Sequence, residues 1–242
     1  MSPAPDHEQC MTPSVSIIIP VLNEAATVAA CLQTLQSLST SDATVTLEII
    51  VVDGGSSDAT VELATPLADQ LIVAGQGRAG QMNTGAKASS GEYVLFLHAD
   101  TRLPDDILAV IASWQNAELP LWGFFSVQLS GSARPLRIVE TMMNWRSRLM
   151  GIGTGDQCLF VNRQLFNSIG GFADMPLMED IEICQRLKRM NKPRVEIHPV
   201  VTSSRKWERE GICKTIVLMW RLRLAYFFGA KPEELARKYY SS

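Results

Sequence analysis

Acidic side chains recur where apolar segments of this sequence end. Glu24, Asp53 and Asp100 each follow a short run rich in β-branched or aromatic residues. A carboxylate fixed at such a point can accept a hydrogen bond from a base or a ribose, and the glycines after Asp53 let a ligand approach the backbone. A turn-forming role for Asp53 or Glu24 fits the same local sequence.

The segment 98–100, His-Ala-Asp, places two metal-ligand types on one side of an extended chain, because side chains alternate with a period of two. Carboxylate oxygen suits Mg²⁺ or Mn²⁺, and an imidazole shifts the preference toward Mn²⁺. A single histidine at a strand end is commonly structural, so Asp100 is the stronger candidate ligand and His98 the weaker one. We expect a divalent cation here, held together with the diphosphate of a nucleotide.

Glu179 and Asp180 open a segment with helical spacing that runs to Met190. Acidic residues in a first helical turn commonly stabilise the helix through its dipole. One of them could instead act as a general base toward an acceptor hydroxyl, if the fold brings it near Asp100. The sequence leaves both roles open.

The segment 75–80 matches the pattern G-x-G-x-x-G, and Asp100 follows about 20 residues later, as in dinucleotide-binding proteins. A nicotinamide-dependent oxidoreductase is therefore an alternative. Against it, the segment belongs to the third strand–helix unit and has an arginine, Arg78, at its centre. Arg78 suits a phosphate or an acidic partner, although a surface arginine explains it equally well.

The elements that position these residues alternate between strand and helix. Buried strands are expected over 15–19, 47–52, 71–74 and 93–97, with helices after Asn23, after Asp58 and over 80–88. This order predicts an α/β fold with a mainly parallel sheet, in which ligands bind at the carboxyl ends of the strands. Beyond Pro120 we expect strands over 122–129, 158–161 and 195–201, and helices over 135–150, 163–169 and 180–190.

Composition excludes several classes of protein. The chain has 242 residues, 46% apolar and 19% charged, and a net charge of -3, which argues against disorder, a coiled coil and a general nucleic-acid binder. Residues 205–238 nevertheless hold 9 Lys/Arg against 4 Asp/Glu. This basic tail could lie on a diphosphate, on an anionic membrane, or in solvent as a helical face.

Five cysteines without a C-x-x-C pair argue against a zinc site or a disulfide framework and favour a reducing, cytoplasmic location. Residues 1–12 show no secretory signal pattern. The longest apolar stretch, 215–228, contains Arg221 and Arg223, so we do not expect it to span a bilayer. Peripheral contact with the cytoplasmic face of a membrane is the remaining membrane hypothesis.

Five motifs, in this order and spacing, resemble those of family 2 glycosyltransferases with the GT-A fold. They are IIIPVLNE (17–24), IVVDGGSSDAT (50–60), GRAGQMNTG (77–85), YVLFLHAD (93–100) and GGFADMPLMEDIE (170–182). The resemblance implies a GT-A domain over 14–205, with a nucleotide-binding half (14–110) and an acceptor half (120–205). A flexible N-terminus (1–13) and a basic helical tail (206–242) would flank it.

The resemblance further implies a nucleotide-diphosphate sugar donor, a divalent metal and inversion at the anomeric carbon. By position, the nucleoside would be held by Pro20, Glu24 and Asp53, with Arg78 on the nucleotide or its phosphates. Asp100 would bind the metal, and Asp180, beside Glu179, would be the general base. His98 stands where the family has the first carboxylate of a D-x-D motif, which would weaken metal binding.

The acceptor half adds further candidates for donor contacts. Asp156 and Gln157 precede a predicted strand near the expected sugar site, and Arg205, Lys206 and Trp207 occupy the region where related enzymes place a C-terminal loop over the diphosphate. The tail segments SSRKWEREG and FFGAKPEELARKYY resemble a compact subgroup labelled arsenosugar-biosynthesis-like. The expected acceptor is a small molecule or a lipid-linked compound. We do not expect a nucleic acid as a partner.

Three other functions compete with the glycosyltransferase. An oxidoreductase would bind NAD tightly through 75–80 without metal. A non-catalytic sugar-nucleotide or membrane-associated module would explain His98 and the basic tail. A nucleotidyltransferase would share the fold type and release pyrophosphate, but its glycine-rich segment would not be expected after the third strand.

Overall fold

The computed structural model describes residues 12–41, 44–117 and 120–240. The predicted N-terminal segment 1–13 therefore lies outside the described residues except for its last two. Eight strands of the described chain form one sheet. They are β1 (Ser14–Val21), β2 (Thr46–Asp53), β3 (Gln70–Val73), β4 (Tyr93–Phe96), β5 (Thr101–Arg102), β6 (Trp122–Leu129), β7 (Leu159–Asn162) and β8 (Arg194–Thr202).

The strand order is β3-β2-β1-β4-β7-β6-β8-β5. The first four strands are parallel to one another, as the strand–helix alternation of the first 100 residues predicts. β7 is antiparallel to both of its neighbours, whereas β6 and β8 are parallel. Short β5 closes the edge antiparallel to β8. The carboxyl ends of β1, β2 and β4 therefore lie along one edge of the sheet, where the candidate residues follow them.

Ten α-helices are found in the described part of the chain, none of them long and apolar enough to cross a bilayer. They are α1 (Val28–Ser41), α2 (Thr60–Ala64), α3 (Arg78–Ala88), α4 (Ile107–Ala112), α5 (Arg134–Met150), α6 (Arg163–Ser168), α7 (Glu179–Met190), α8 (Arg205–Glu210), α9 (Ile212–Phe227) and α10 (Pro232–Tyr240).

The central strands bury both faces. In β1, Ile17 and Ile19 belong to one apolar cluster and Ile18 to a second, because successive side chains point to opposite sides of a strand. Helix α1 packs on the first face through Leu32, and α7 packs on the second through Leu187. Continuous apolar strand sequences are what a sheet covered on both sides requires.

Local details differ from the sequence prediction. The first helix begins at Val28 rather than directly after Asn23, because Asn23 adopts a left-handed conformation with φ of 56° and the chain turns before the helix starts. A 3₁₀ turn, Gly155–Gln157, lies between the predicted helix over 135–150 and the predicted strand over 158–161. Helix α8 begins at Arg205, one residue before the helical tail that we predict over 206–242. The residues for which the resemblance implies a loop over the diphosphate, 205–207, therefore lie in a helix.

Candidate functional site

An open cleft lies at the carboxyl edge of the sheet, between the ends of β1 and β4, the start of α7, and α9. It holds about 1230 Å³ of empty space, which includes some open solvent at its mouth. Most of the polar candidates predicted from the sequence meet here. Its charged and titratable lining residues, among those described, are Glu24, Arg78, His98, Asp100, Asp156, Glu179, Asp180, Arg223 and Tyr239.

The nucleoside candidates are only partly brought together. Pro20 and Glu24 line the cleft, and Thr27 donates a hydrogen bond to Glu24 Oε2 at 2.8 Å. Asp53 is 2% exposed and is not among the lining residues. Its Oδ2 accepts hydrogen bonds from the backbone N–H groups of Gly55 and Ser56, at 2.9 and 3.0 Å. In this structure Asp53 therefore orders the loop after β2, the turn-forming role left open by the sequence.

Gln81 is a buried residue that sequence reasoning missed. Its Nε2 donates to the carbonyl oxygens of Val21 and Val52, each at 2.8 Å, and so joins the ends of β1 and β2 to α3. A glutamine directly after the glycine-rich segment 75–80 carries no recognisable signal. Its role depends on two strand ends that are distant in sequence.

Arg78 begins α3 and extends toward the start of α7. Its Nη1 lies 4.0 Å from Glu179 Oε1, with the Glu179 side chain 8% exposed and that of Arg78 54% exposed. Burial raises the pKa of Glu179, and the neighbouring charge of Asp180 raises it further, while Arg78 opposes both effects. Burial acts to lower the pKa of Arg78, but the charges of Glu179 and Asp156 outweigh it and leave that pKa raised.

His98 contacts the turn after Thr154. Its Nδ1 lies 3.6 Å from Asp156 Oδ1, and the side chain of Asp156 is 42% exposed. Burial alone would raise the pKa of Asp156, but the interaction with His98 and the charge of Arg78 hold it below its usual value. His98 and Asp156 thus form one polar unit rather than two independent ligands.

The donor set suits a divalent cation that also binds substrate oxygens. Asp100 and His98 line the same cleft, but no group of three or more His, Cys, Asp and Glu side chains in the described ranges is arranged to hold a metal alone. Mg²⁺ is commonly held by one or two carboxylates plus substrate phosphates. The lining has five carboxylates against two arginines, so an anionic diphosphate would need a compensating cation. The residues present therefore fit a metal shared with a diphosphate.

Asp180 is fixed by two backbone groups. Its Oδ2 accepts from Gly155 N–H at 3.0 Å and its Oδ1 from Ile181 N–H at 2.7 Å. The first of these bonds ties the start of α7 to the turn that carries Asp156. Asp180 and Asp100 line the same cleft, as the hypothesis of a general base near a metal requires.

The predicted donor contact of Gln157 needs correction. Its side chain is fully buried, and its Nε2 donates to Ser147 Oγ at 2.9 Å and to Phe125 O at 3.2 Å. Its Oε1 accepts from Thr154 N–H. With its amide directed into the protein, Gln157 can position the 155–157 turn but cannot contact a ligand in this structure.

The three C-terminal candidates, Arg205, Lys206 and Trp207, differ in their position relative to the cleft. Trp207 lines the cleft from α8. Arg205 is exposed, is not among the lining residues, and donates from Nε to Ser203 Oγ at 3.1 Å. Lys206 lies in α8, but its side chain is outside the part of the chain that the structure describes.

Arg223 is the cleft cation that sequence reasoning did not select. It lies on α9, lines the cleft, and has a buried Nε without a hydrogen-bond partner among the described residues. Arg146 of α5 is its neighbour, with Nε and Nη2 similarly buried and unpartnered. Burial and the charge of Arg223 lower the pKa of Arg146 to about 10. The available signal was an arginine interrupting the apolar run 215–228.

Comparison with known proteins agrees with this geometry. The sheet order and the cleft define an α/β fold of the GT-A type. The mannosyltransferase PcManGT from Pyrobaculum calidifontis, in complex with GDP-Man and Mn2+, matches with a TM-score of 0.60 and 24% identity over 89% of this chain and 62% of that one. S. aureus TarS with UDP-GlcNAc matches with a TM-score of 0.61 and 18% identity over 78% and 58% of the two chains.

Sequence comparison gives the family. Residues 16–154, more than half of the chain, match the description Glycosyl transferase family 2, and the chain belongs to that family. A PGL/p-HBAD biosynthesis glycosyltransferase of Mycobacterium bovis is 38% identical over 116 residues, which are 45% of this chain and 44% of the relative. A beta-monoglucosyldiacylglycerol synthase of Trichormus variabilis is 26% identical over 87% of this chain and 47% of its own length. The chain spans about half the length of these relatives.

Proposed function

We propose that the chain transfers a sugar from a nucleotide-diphosphate sugar to an acceptor hydroxyl, with inversion and with a divalent cation. The observation that carries the proposal is that Asp100 and Asp180, 80 positions apart in sequence, line one cleft at the carboxyl edge of the sheet. One carboxylate can serve the cation and the other the acceptor. Because the chain belongs to glycosyltransferase family 2, this proposal is favoured over the hypothesis of an oxidoreductase that binds a dinucleotide through segment 75–80.

The donor would lie with its nucleoside toward Pro20 and Glu24 and its diphosphate toward Asp100. Pro20 and Glu24 line the cleft near the end of β1, and Asp53, the third nucleoside candidate, would act indirectly by ordering the neighbouring loop. Arg78, at the start of α3, would contact the phosphates or the nucleotide. The positive end of a helix and a guanidinium group both favour an anionic ligand there.

Asp100 would hold the cation together with phosphate oxygens, with His98 as a weaker ligand or as the partner that orients Asp156. Mg²⁺ and Mn²⁺ both suit these donors. A bound divalent ion supplies positive charge to the leaving diphosphate. The acidic lining of the cleft supports this proposal, because the described arginines alone leave the cleft with an excess of carboxylates.

Asp180 would act as the general base. The acceptor oxygen attacks the anomeric carbon, its proton passes to Asp180, and the bond between that carbon and the phosphate oxygen breaks with its electron pair on the nucleoside diphosphate. Attack from the face opposite the leaving group inverts the anomeric centre. The hydrogen bond from Gly155 N–H to Asp180 fixes the base, and Glu179 beside it interacts with Arg78.

Charge that develops on the diphosphate needs fixed cationic groups. Arg78 and Arg223 are the described arginines that line the cleft, and we assign them this electrostatic role. Trp207 would cover the donor from α8. The roles inferred for Arg205 and Lys206 remain predictions, because Arg205 is not among the lining residues.

The class of donor, the subgroup within the family and the cellular location are further parts of the proposal. Solved neighbours are described with GDP-Man and with UDP-GlcNAc, which supports a nucleotide-sugar donor as a class. Membership of the subgroup labelled arsenosugar-biosynthesis-like rests on the tail motifs alone. The division into a domain over 14–205 and a basic tail, and the cytoplasmic location, likewise remain predictions.

The test compares Asp180→Asn with wild type in two measurements. Calorimetry with UDP-sugars and GDP-sugars in the presence of Mn²⁺ measures donor affinity, and release of free sugar measures transfer to water without the natural acceptor. We expect turnover to fall about 10²–10⁴-fold while donor affinity is unchanged, because only proton removal is lost. Asp174→Asn, in the exposed loop before α7, is the control and should retain turnover.

Each failure has a separate meaning. Absence of nucleotide-sugar binding by wild type at millimolar donor would overturn the proposed function. Binding without turnover in wild type would favour a non-catalytic sugar-nucleotide module. Wild-type turnover retained by Asp180→Asn would leave a glycosyltransferase but remove Asp180 as its base.

A further inference from the structure

Helix α5 has an apolar side that faces solvent. Ile138, Met142, Trp145 and Leu149 recur at spacings of three and four residues, so they share one face of the helix. Their exposed fractions range from 41% to 70%, with Trp145 at 67%. The opposite face packs inward through Leu136 and Val139. Helix α5 is therefore apolar on its solvent side as well as on its buried side, whereas a surface helix usually presents polar residues to solvent.

Helix α9 repeats the feature. Val217, Trp220, Leu224 and Phe227 again recur at spacings of three and four, with exposed fractions of 56% to 78%. Phe228 follows directly and is 77% exposed. The buried side of α9 contacts the core through residues such as Leu222. Two helices thus present apolar side chains where a soluble domain presents polar ones.

The two helices that carry these stripes lie side by side. Helices α5 and α9 pack against each other, with Met143 of α5 and Ile216 of α9 in the same small apolar cluster. Each helix turns its buried face to the protein and its apolar stripe to solvent. We call the exposed side chains of α5 and α9 the apolar face. An exposed patch of this extent indicates a contact with another molecule or with lipid.

The helices that form the apolar face are strongly basic. α5 and α9 together contain seven Lys and Arg residues and one acidic residue, Glu140, which pairs with Arg137. Arg134, Arg148, Lys214 and Arg221 are exposed at the edges of the two stripes. An apolar stripe with tryptophan and phenylalanine and a basic edge is the pattern of helices that lie in a membrane interface.

We propose that the apolar face docks on an anionic lipid bilayer. Apolar side chains would enter the boundary between headgroups and acyl chains, and the basic edge residues would contact acidic headgroups. A second copy of this chain fits less well, because a two-fold dimer would place two basic edges against each other. The charge of this face therefore favours lipid over self-association.

Helix α9 connects this face to the cleft. Its Thr215, Met219 and Arg223 line the cleft, whereas Trp220 and Leu224 lie on the apolar face. Docking would hold the cleft beside the bilayer surface. The consequence that the acceptor is a lipid-linked hydroxyl rests on the proposed function; docking itself does not.

Vesicle co-sedimentation tests the proposal without donor or acceptor. The full chain is incubated with vesicles of phosphatidylcholine alone, or with phosphatidylglycerol added, at low and high salt. We expect binding to the anionic vesicles that weakens with salt, and a blue shift of tryptophan emission as Trp145 and Trp220 leave water. The double variant Trp145→Glu/Trp220→Glu should bind about tenfold more weakly.

Matched variants separate docking from misfolding and from self-association. Val73→Glu/Ile197→Glu changes two apolar side chains that are 67% and 69% exposed elsewhere, and should bind like wild type. Unchanged thermal unfolding of the tryptophan variant shows that its fold is intact. The proposal is overturned if wild type does not bind anionic vesicles. It is also overturned if wild type is a dimer that binds no vesicles and the tryptophan variant is a monomer, because the apolar face would then be a dimer interface. Because no sugar transfer is measured, these outcomes are independent of the test on Asp180.

Discussion

The imidazole Nδ1 of His98, at the end of β4, lies 3.6 Å from Oδ1 of Asp156, which comes from the 3₁₀ turn before β7. Gly155 makes this approach sterically feasible. A Cβ built on Gly155 would lie 2.8 Å from His98 Cε1 and 2.9 Å from His98 Nε2. The glycine therefore controls the position of the imidazole in the cleft.

Replacing Gly155 by alanine is expected to displace His98 and weaken donor use. We expect kcat/KM to fall about tenfold or more, because small displacements of positioned groups have large kinetic effects. Steady-state donor hydrolysis measures the effect. Gly75→Ala is the control, since a Cβ there meets no atom within 4 Å. Equal activity of both variants would show that the position of His98 is unimportant.

The pKa of Glu179 predicts a pH-dependent loss of stability. Because burial and Asp180 raise this pKa in the folded protein, folding favours the protonated form. Stability from this group is complete below its ordinary pKa and is lost as pH rises through the raised value. We expect wild type to lose stability relative to Glu179→Gln as pH rises from 4 to 8.

Urea unfolding midpoints at several pH values measure this difference. Glu182→Gln is the control, since Glu182 lies one turn along α7 and pairs with Arg186 rather than with Arg78. A stability difference between wild type and Glu179→Gln that does not change with pH would contradict the raised pKa.

Metal binding is expected to require a nucleotide. The described chain offers Asp100 and His98 but no cage of three ligands, so Mn²⁺ alone should bind weakly and Mn²⁺ with a nucleoside diphosphate much more tightly. Asp100→Asn should weaken the ternary complex by on the order of tenfold or more. Calorimetry with and without UDP or GDP measures both effects. Asp105→Asn, at an exposed carboxylate, is the control.

Gln157 is expected to matter for stability. Replacing it by alanine leaves Ser147 and two backbone groups without their buried partner, and we expect a loss of about 1–3 kcal/mol in the free energy of unfolding. Chemical denaturation measures it. The exposed Gln185→Ala should change stability by less than about 0.5 kcal/mol. A Gln157→Ala variant as stable as wild type would contradict the structural role that these hydrogen bonds assign to Gln157.

Local patterns predicted the parallel half of the sheet well. Short β-branched runs such as 15–19 favour strands covered on both faces, and their alternation with helices predicted a fold with ligands at the strand ends. The reversed direction of β7 and the short edge strand β5 were not predicted. Strand direction depends on which neighbour a segment pairs with, and no local pattern records that partner.

The sequence by itself determined which chemistry the cleft could contain, because carboxylates, an imidazole and arginines follow strand ends or begin helices at recognisable positions. Only the tertiary structure decided which of them share the space. It joined Asp100 with Asp180, and brought Arg223 from a C-terminal helix to their cleft. It also showed that the side chains of Asp53 and Gln157 form hydrogen bonds within the protein. Side-chain type is local information, whereas convergence depends on contacts between distant segments.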